Sequence, residues 1–103
     1  MSNRGVARLN DLTDGICYDP SHLVPLPIGG RIITASGNTT DNNRPVARLG
    51  DTVLADCGHT SIIITAAPTV TTNSRGTARI NDLVGSGPYD ARIITASPNT
   101  NAT

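Results

Sequence analysis

The chain has 103 residues, with 8 Arg and no Lys, 8 Asp and no Glu, and a formal net charge of +0 at pH 7. That balance leaves no basic footprint for nucleic acid and no polybasic patch for an anionic membrane surface. Glu, Gln and Lys, the usual fillers of exposed helix faces, are all missing, and abundant Thr, Asn, Gly and Pro argue against helix nearly everywhere.

One small domain spanning residues 1–103 is expected at this length. Its core must be thin. There is no Phe and no Trp, and Tyr18 and Tyr89 are the only aromatics. A core of small aliphatic side chains benefits from a staple such as a metal ion. No apolar run approaches the roughly 20 residues of a membrane helix. The opening "MSNRGVARLND" has no apolar signal-peptide core. The expectation is synthesis in a cytoplasm, where Cys17 and Cys57 stay reduced and read as ligands or core thiols rather than a disulfide.

The chain states one unit three times. "RGVARLND" at 4–11 returns as "RPVARLGD" at 44–51 and "RGTARIND" at 75–82. Each is followed by a second phrase: "RIITAS" at 31–36, "IIITAA" at 62–67 and "RIITAS" at 92–97. Gly37-Asn38-Thr39, Pro68-Thr69-Val70 and Pro98-Asn99-Thr100 come next. This threefold repeat divides the chain at about 4–43, 44–74 and 75–103. Each unit predicts two short strands. The first covers Val6–Leu9, Val46–Leu49 or Thr77–Ile80, and the second is the Ile-Ile-Thr-Ala phrase. Arg and Asp three apart would face opposite sides of an extended chain. Asp11, Asp51 and Asp82 therefore leave the strand to cap backbone N–H groups in the turn that follows, and Arg8, Arg48 and Arg79 pair with carboxylates at the corners.

The first unit carries an insertion, "GICYDPSHLVPLPIGG", which holds Cys17 and His22. The corresponding loop of the second unit holds Cys57 and His59. The third, "VGSGPYDA", holds neither. All four soft or borderline ligands of the chain thus occupy one slot of two adjacent repeats. In a threefold arrangement these slots converge at one end. Zinc takes four tetrahedral ligands from Cys sulfur and His nitrogen, so Cys17, His22, Cys57 and His59 are candidates for a closed structural site, which iron would also suit. The C-x4-H and C-x-H spacings are not those of zinc fingers. The plainer reading is a buried Cys57 thiol and an exposed His59. Cys57 and His59 as nucleophile and base form a weaker alternative, with no oxyanion hole or orienting group in evidence.

The "GVAR", "PVAR" and "GTAR" phrases, each leading into "LGD" or "IND", resemble the PAAR-repeat family over Arg4 to Asn99. Pro45-Val46-Ala47-Arg48 is the nearest copy. The resemblance implies an all-β, pointed cone of three pseudo-threefold-related repeats, with short strands, long loops and little or no helix. It implies a structural role rather than an enzyme. One chain would cap the trimeric β-helical spike of a contractile injection machine, either a phage tail or the VgrG spike of a type VI secretion system. It would help pierce a membrane and be delivered outward, with no nucleic-acid or small-molecule substrate. Family members hold an apical metal, usually zinc, with three His and one Cys. This chain has two His and two Cys, so either Cys17 stands where a His usually does, or the ion has fewer protein ligands, or the metal is lacking. Cys57 and His59 match the second-repeat ligand loop. Val6, Val46 and Ile80 at the base are candidates for contact with the spike or for plain core. The chain ends directly after its third repeat, so a fused toxin is not expected. A metal-binding β module with another partner, a carrier adaptor for secreted effectors and a self-stacking solenoid are the alternatives.

Overall fold

The computed structural model describes residues 4–41, 44–67, 70–72, 75–97 and 101–102. Pro68-Thr69 and Pro98–Thr100, from the tails of the second and third repeats, lie outside these residues. Among the described residues there is no helix. The strands are β1 (Arg4–Gly5), β2 (Leu12–Cys17), β3 (Leu26–Ile32), β4 (Thr40–Asp41), β5 (Arg44–Pro45), β6 (Thr52–Ala55), β7 (Thr60–Ile63), β8 (Thr71–Thr72), β9 (Arg75–Gly76), β10 (Leu83–Gly85), β11 (Tyr89–Ile93) and β12 (Asn101–Ala102). The protein is all-β, as expected.

Three antiparallel hairpins, β2–β3, β6–β7 and β10–β11, pair in a ring. Strand β3 bonds β6, β7 bonds β10, and β11 returns to β2, closing a six-stranded barrel. Closure removes the open edges that would otherwise template aggregation. Alternate residues point inward. Ile32, Val53, Ile63, Val84 and Ile93 fill the barrel with Cys17 and Tyr89. Tyr89 supplies the bulk that the missing Phe and Trp would have given. It is fully buried, and its hydroxyl reaches the Thr13 hydroxyl at 3.0 Å and donates to the Ile28 carbonyl at 3.1 Å. Gly15 lets β2 and β11 approach closely, since a Cβ there would meet the Asp90 carbonyl oxygen at 2.0 Å.

At the end opposite the hairpin turns, the three Val/Thr-Ala-Arg phrases meet. The Ala7 N–H donates to the Ala78 carbonyl at 2.9 Å, Ala78 to Ala47 at 3.0 Å, and Ala47 to Ala7 at 2.9 Å. This cyclic bonding closes a pseudo-threefold axis with backbone alone. All three alanines are completely buried. The phrases predicted as strands Val6–Leu9, Val46–Leu49 and Thr77–Ile80 are therefore not strands. Each makes one isolated β-bridge to each of its two neighbours: Val6 pairs with Arg79, Arg8 with Val46 and Arg48 with Thr77. The reason is geometric: each segment meets two neighbours across the axis, so neither pairing extends into a ladder. The strands lie further along, and the Ile-Ile-Thr-Ala phrases contribute only their first residues to β3, β7 and β11.

A corner follows each phrase. A β-turn closes when the N–H of Asp11, Asp51 or Asp82 donates to the carbonyl of Arg8, Arg48 or Arg79, each at 3.0 Å. The third turn residue has positive φ: 69° at Asn10, 85° at Gly50 and 69° at Asn81. Asn and Gly tolerate that region best. Each Asp accepts the backbone N–H of the preceding Arg at 2.7 Å and its guanidinium at 2.8–3.3 Å. The pairing matches expectation, but the capped N–H precedes the turn rather than following it. Thr95, Thr34 and Thr65 of the Ile-Thr-Ala phrases donate to Asp11, Asp51 and Asp82. Every corner is thus locked by the repeat before it in the ring. Burial pushes the Asp82 carboxyl up, but hydrogen bonds from Arg79 and Thr65 outweigh it and hold it below its usual range.

Val6 and Val46, considered for spike contact, are instead buried in a small cluster with Ala67. Each is only 5% exposed, so they help hold the base together and offer little surface. Ile80 is half-buried.

Candidate metal centre

The hairpin turns gather at the other end of the barrel. They are the long loop 18–25, the tight turn 56–59 and the short turn 86–88. The second turn is shaped by Gly58, at φ 96°, whose N–H donates to the Ala55 carbonyl at 2.9 Å. The Ala55 N–H in turn donates to the His59 carbonyl at 2.8 Å. Cys57 and His59 are thereby held together. Cys17 ends β2 with its side chain pointing into the barrel, fully buried. In the long loop, the Asp19 carboxylate accepts the Ser21 N–H at 2.9 Å, and the Asp19 carbonyl accepts the His22 N–H at 3.0 Å. This local turn folds His22 back over the barrel mouth.

The structure brings Cys17, His22, Cys57 and His59 together, with one ligand atom from each lying within 4.8 Å of all the others. His59 Nδ1 sits 3.3 Å from both the Cys17 and the Cys57 sulfur. The His22 and His59 rings meet edge-on, 5.2 Å between centroids. Ideal tetrahedral zinc, with bonds of about 2.3 Å to sulfur and 2.0–2.1 Å to nitrogen, spaces its donors roughly 3.3–3.8 Å apart. The cluster needs only slight contraction to reach that geometry. His22 Nε2 supplies an independent sign: it is buried without a hydrogen-bond partner among the described residues. A buried imidazole nitrogen left unsatisfied is costly, and a metal ion would satisfy it. The residues present fit the group.

The thiols are prepared unequally. The backbone N–H of His59 is the main influence that draws Cys57 down to about 6, overcoming burial. Burial pushes the Cys17 thiol up. Metal binding needs both as thiolates.

Sequence reasoning missed Asp19. Its carboxylate lies 3.4 Å from His59 Nε2, the nitrogen turned away from the sulfurs. Hydrogen bonding from the Ser21 N–H is the main cause of its lowered pKa. A carboxylate on the far nitrogen of a ligating His fixes the ring and raises its basicity. Nothing in "CYDPSH" marks the Asp for that role, because the pairing spans forty residues and exists only once the two loops meet.

The third turn carries no ligand and is closed otherwise. The Pro88 carbonyl accepts the Tyr18 N–H at 2.6 Å, and the Tyr89 N–H donates to Ser61 Oγ at 3.0 Å.

A family model described as the PAAR motif matches residues 24–95, the greater part of the chain. The chain belongs to the PAAR-motif family. That is the spike-tip family of contractile injection systems, as the repeated phrases implied. The matched span contains Cys57 and His59 but begins after Cys17 and His22. The role of those two rests on the geometry of the loops. No curated protein matches the chain.

Proposed function

We propose that this PAAR chain is the structural tip of a contractile injection spike, capping a trimeric β-helical protein one chain to three, with zinc pinning its apex. The observation that carries the reading is the cyclic bonding of Ala7, Ala47 and Ala78 at the base. One chain offers a pseudo-threefold face, which suits a partner with true threefold symmetry. An open spike end exposes β edges, and a cap would cover them.

Zinc, if bound by Cys17, His22, Cys57 and His59, supplies cross-linking rather than chemistry, because four protein ligands close its shell. Iron would serve on the same donors. The residues do the mechanical work. Cys17 and His22 belong to the first hairpin and Cys57 and His59 to the second, so these four residues, on holding an ion, would tie the two loops together. Asp19 orients His59. A narrow end that meets a membrane first gains stiffness from such a tie, since ligation energy is folding energy. The protein would be made in a cytoplasm, assembled on a phage tail or secretion spike, and carried outward through the target envelope.

A second reading has one observation in its favour. Cys57, His59 and Asp19 line up as thiol, imidazole and carboxylate, the order of a nucleophilic triad. The second thiol on the same His59 nitrogen and the orphaned His22 Nε2 both speak against it, and a metal explains both. The deciding experiment is co-purification with the cognate spike trimer. A one-to-three complex supports capping; monomeric chain beside intact trimer refutes it.

A further inference from the structure

We propose that Leu23 and Val24, at the crest of the loop between β2 and β3, form an apolar knob that enters the acyl region of a phospholipid bilayer. The inference rests on the tip reading and names the part of the tip that touches lipid. Leu23 is exposed to 104% of its reference area and Val24 to 70%. Large apolar side chains so fully in water, side by side, need a reason. No Arg or Asp occurs from residue 20 to residue 30, so nothing charged must be dragged into hydrocarbon. Tyr18, on the same loop, is half-exposed at 51%, and a Tyr one step behind an apolar point suits headgroup depth.

The knob is also held before it meets anything. His22, immediately before Leu23, sits in the metal-ligand cluster and is turned by its N–H bond to the Asp19 carbonyl. Pro20, Pro25 and Pro27 stiffen the flanks. Little freedom is therefore lost on insertion. Lipid is favoured over a protein partner by shape and size. The knob is convex, and two side chains cover far less than the roughly 800 Å² per partner of a stable protein interface. Fluid acyl chains need no matching pocket. With the chain neutral, attraction should not depend on anionic lipid.

The chain has no Trp, so Leu23→Trp makes a single fluorescent reporter. The metal-loaded variant is mixed with vesicles of neutral phosphatidylcholine, with and without brominated acyl chains. Ile94→Trp, at an exposed apolar position on the barrel flank, is the control. The expected result is a blue shift and bromine quenching for Leu23→Trp alone, unchanged by salt. Partition of the double variant Leu23→Ser/Val24→Ser, read by tyrosine fluorescence, should fall at least about a hundredfold. No quenching at position 23, equal quenching at position 94, or binding that appears only with anionic vesicles and vanishes in salt overturns the proposal. The double variant should still cap the spike trimer, because the knob lies at the far end from the base. Capping without vesicle insertion sinks this inference alone; insertion without capping sinks the tip reading.

Discussion

Replacing Asp11 by Ala should cost more than any exposed substitution in the molecule. Asp11 is buried and accepts from Arg8 N at 2.7 Å, Arg8 Nε at 3.1 Å, Arg8 Nη2 at 3.3 Å, Arg44 Nη2 at 3.2 Å and Thr95 Oγ1 at 2.8 Å. Arg44 belongs to the second repeat and Thr95 to the third, so one carboxylate joins all three. Its removal leaves the Arg8 side chain, only 9% exposed, without its counter-charge. Breaking a buried pair from one side costs about 3–5 kcal/mol. At about 5 °C per kcal/mol for a domain of this size, the melting temperature should fall by roughly 15–25 °C. Asp11→Asn keeps one acceptor and should lose about half as much. Asp14→Ala, at an exposed position, should stay within about 0.5 kcal/mol. The assay is thermal unfolding by circular dichroism at fixed protein and zinc concentration, since bound metal shifts the midpoint by mass action. Equal melting of Asp11→Ala and Asp14→Ala would refute the claim that the corners hold the ring closed.

Elemental analysis of the purified chain should find one zinc or iron per molecule, and Cys17→Ala, His22→Ala, Cys57→Ala and His59→Ala should each lower that content. Retention of full content by the Cys17 variant would remove that residue from the ligand set. Asp19→Asn should keep the stoichiometry but weaken affinity about 10–100-fold in chelator competition; unchanged affinity would reduce Asp19 to a loop residue. In the metal-free chain, Cys57 has a folded pKa of about 6, below its unfolded value of about 8.5. Its contribution is therefore complete above the unfolded value and lost as pH falls through about 6. Cys17 is shifted the other way, so its contribution holds below the unfolded value and fades as pH rises past it. Melting with chelator present should thus rise from pH 6 to pH 8 and turn over above about 9, and a flat profile would count against the thiol assignments. Ala47→Val places extra volume where three backbones converge and should destabilise by about 1–3 kcal/mol in urea titration; a neutral result would mean the axis has room to spare.

The repeats made the threefold plan readable from sequence, because the same Arg-x-x-Asp corner must be built three times. The strands were less readable. Val6–Leu9 looks like a strand by composition, yet at a threefold axis a residue such as Ala7 bonds one neighbour through its N–H and another through its carbonyl. No pairwise ladder can form, and a pattern search that assumes pairs misplaces the strand. The same convergence buries Val6 and Val46, which pack with Ala67 in a small cluster. The four ligand candidates were readable because the chain has so few Cys and His and places them in one repeat slot. Asp19 was not, since its meaning depends on a loop from another repeat.

A tetrahedral set also sets a limit on the symmetry. Three equal repeats cannot each give the same share of four ligands. The four candidate ligands split two and two, from the first and second hairpins, and the third turn holds none. The base can stay pseudo-threefold because backbone N–H and carbonyl groups are identical in every repeat, whatever the side chains. The apex cannot, and the departures follow from that. The first loop is lengthened so that Cys17 and His22 reach the second turn, while the third is shortened to Ser86-Gly87-Pro88 and tied through the Pro88 carbonyl to Tyr18. Giving the third turn its own His would crowd a closed shell. Unequal repeat lengths are thus what a symmetric base and a four-ligand cluster drawn from two hairpins would require of one chain.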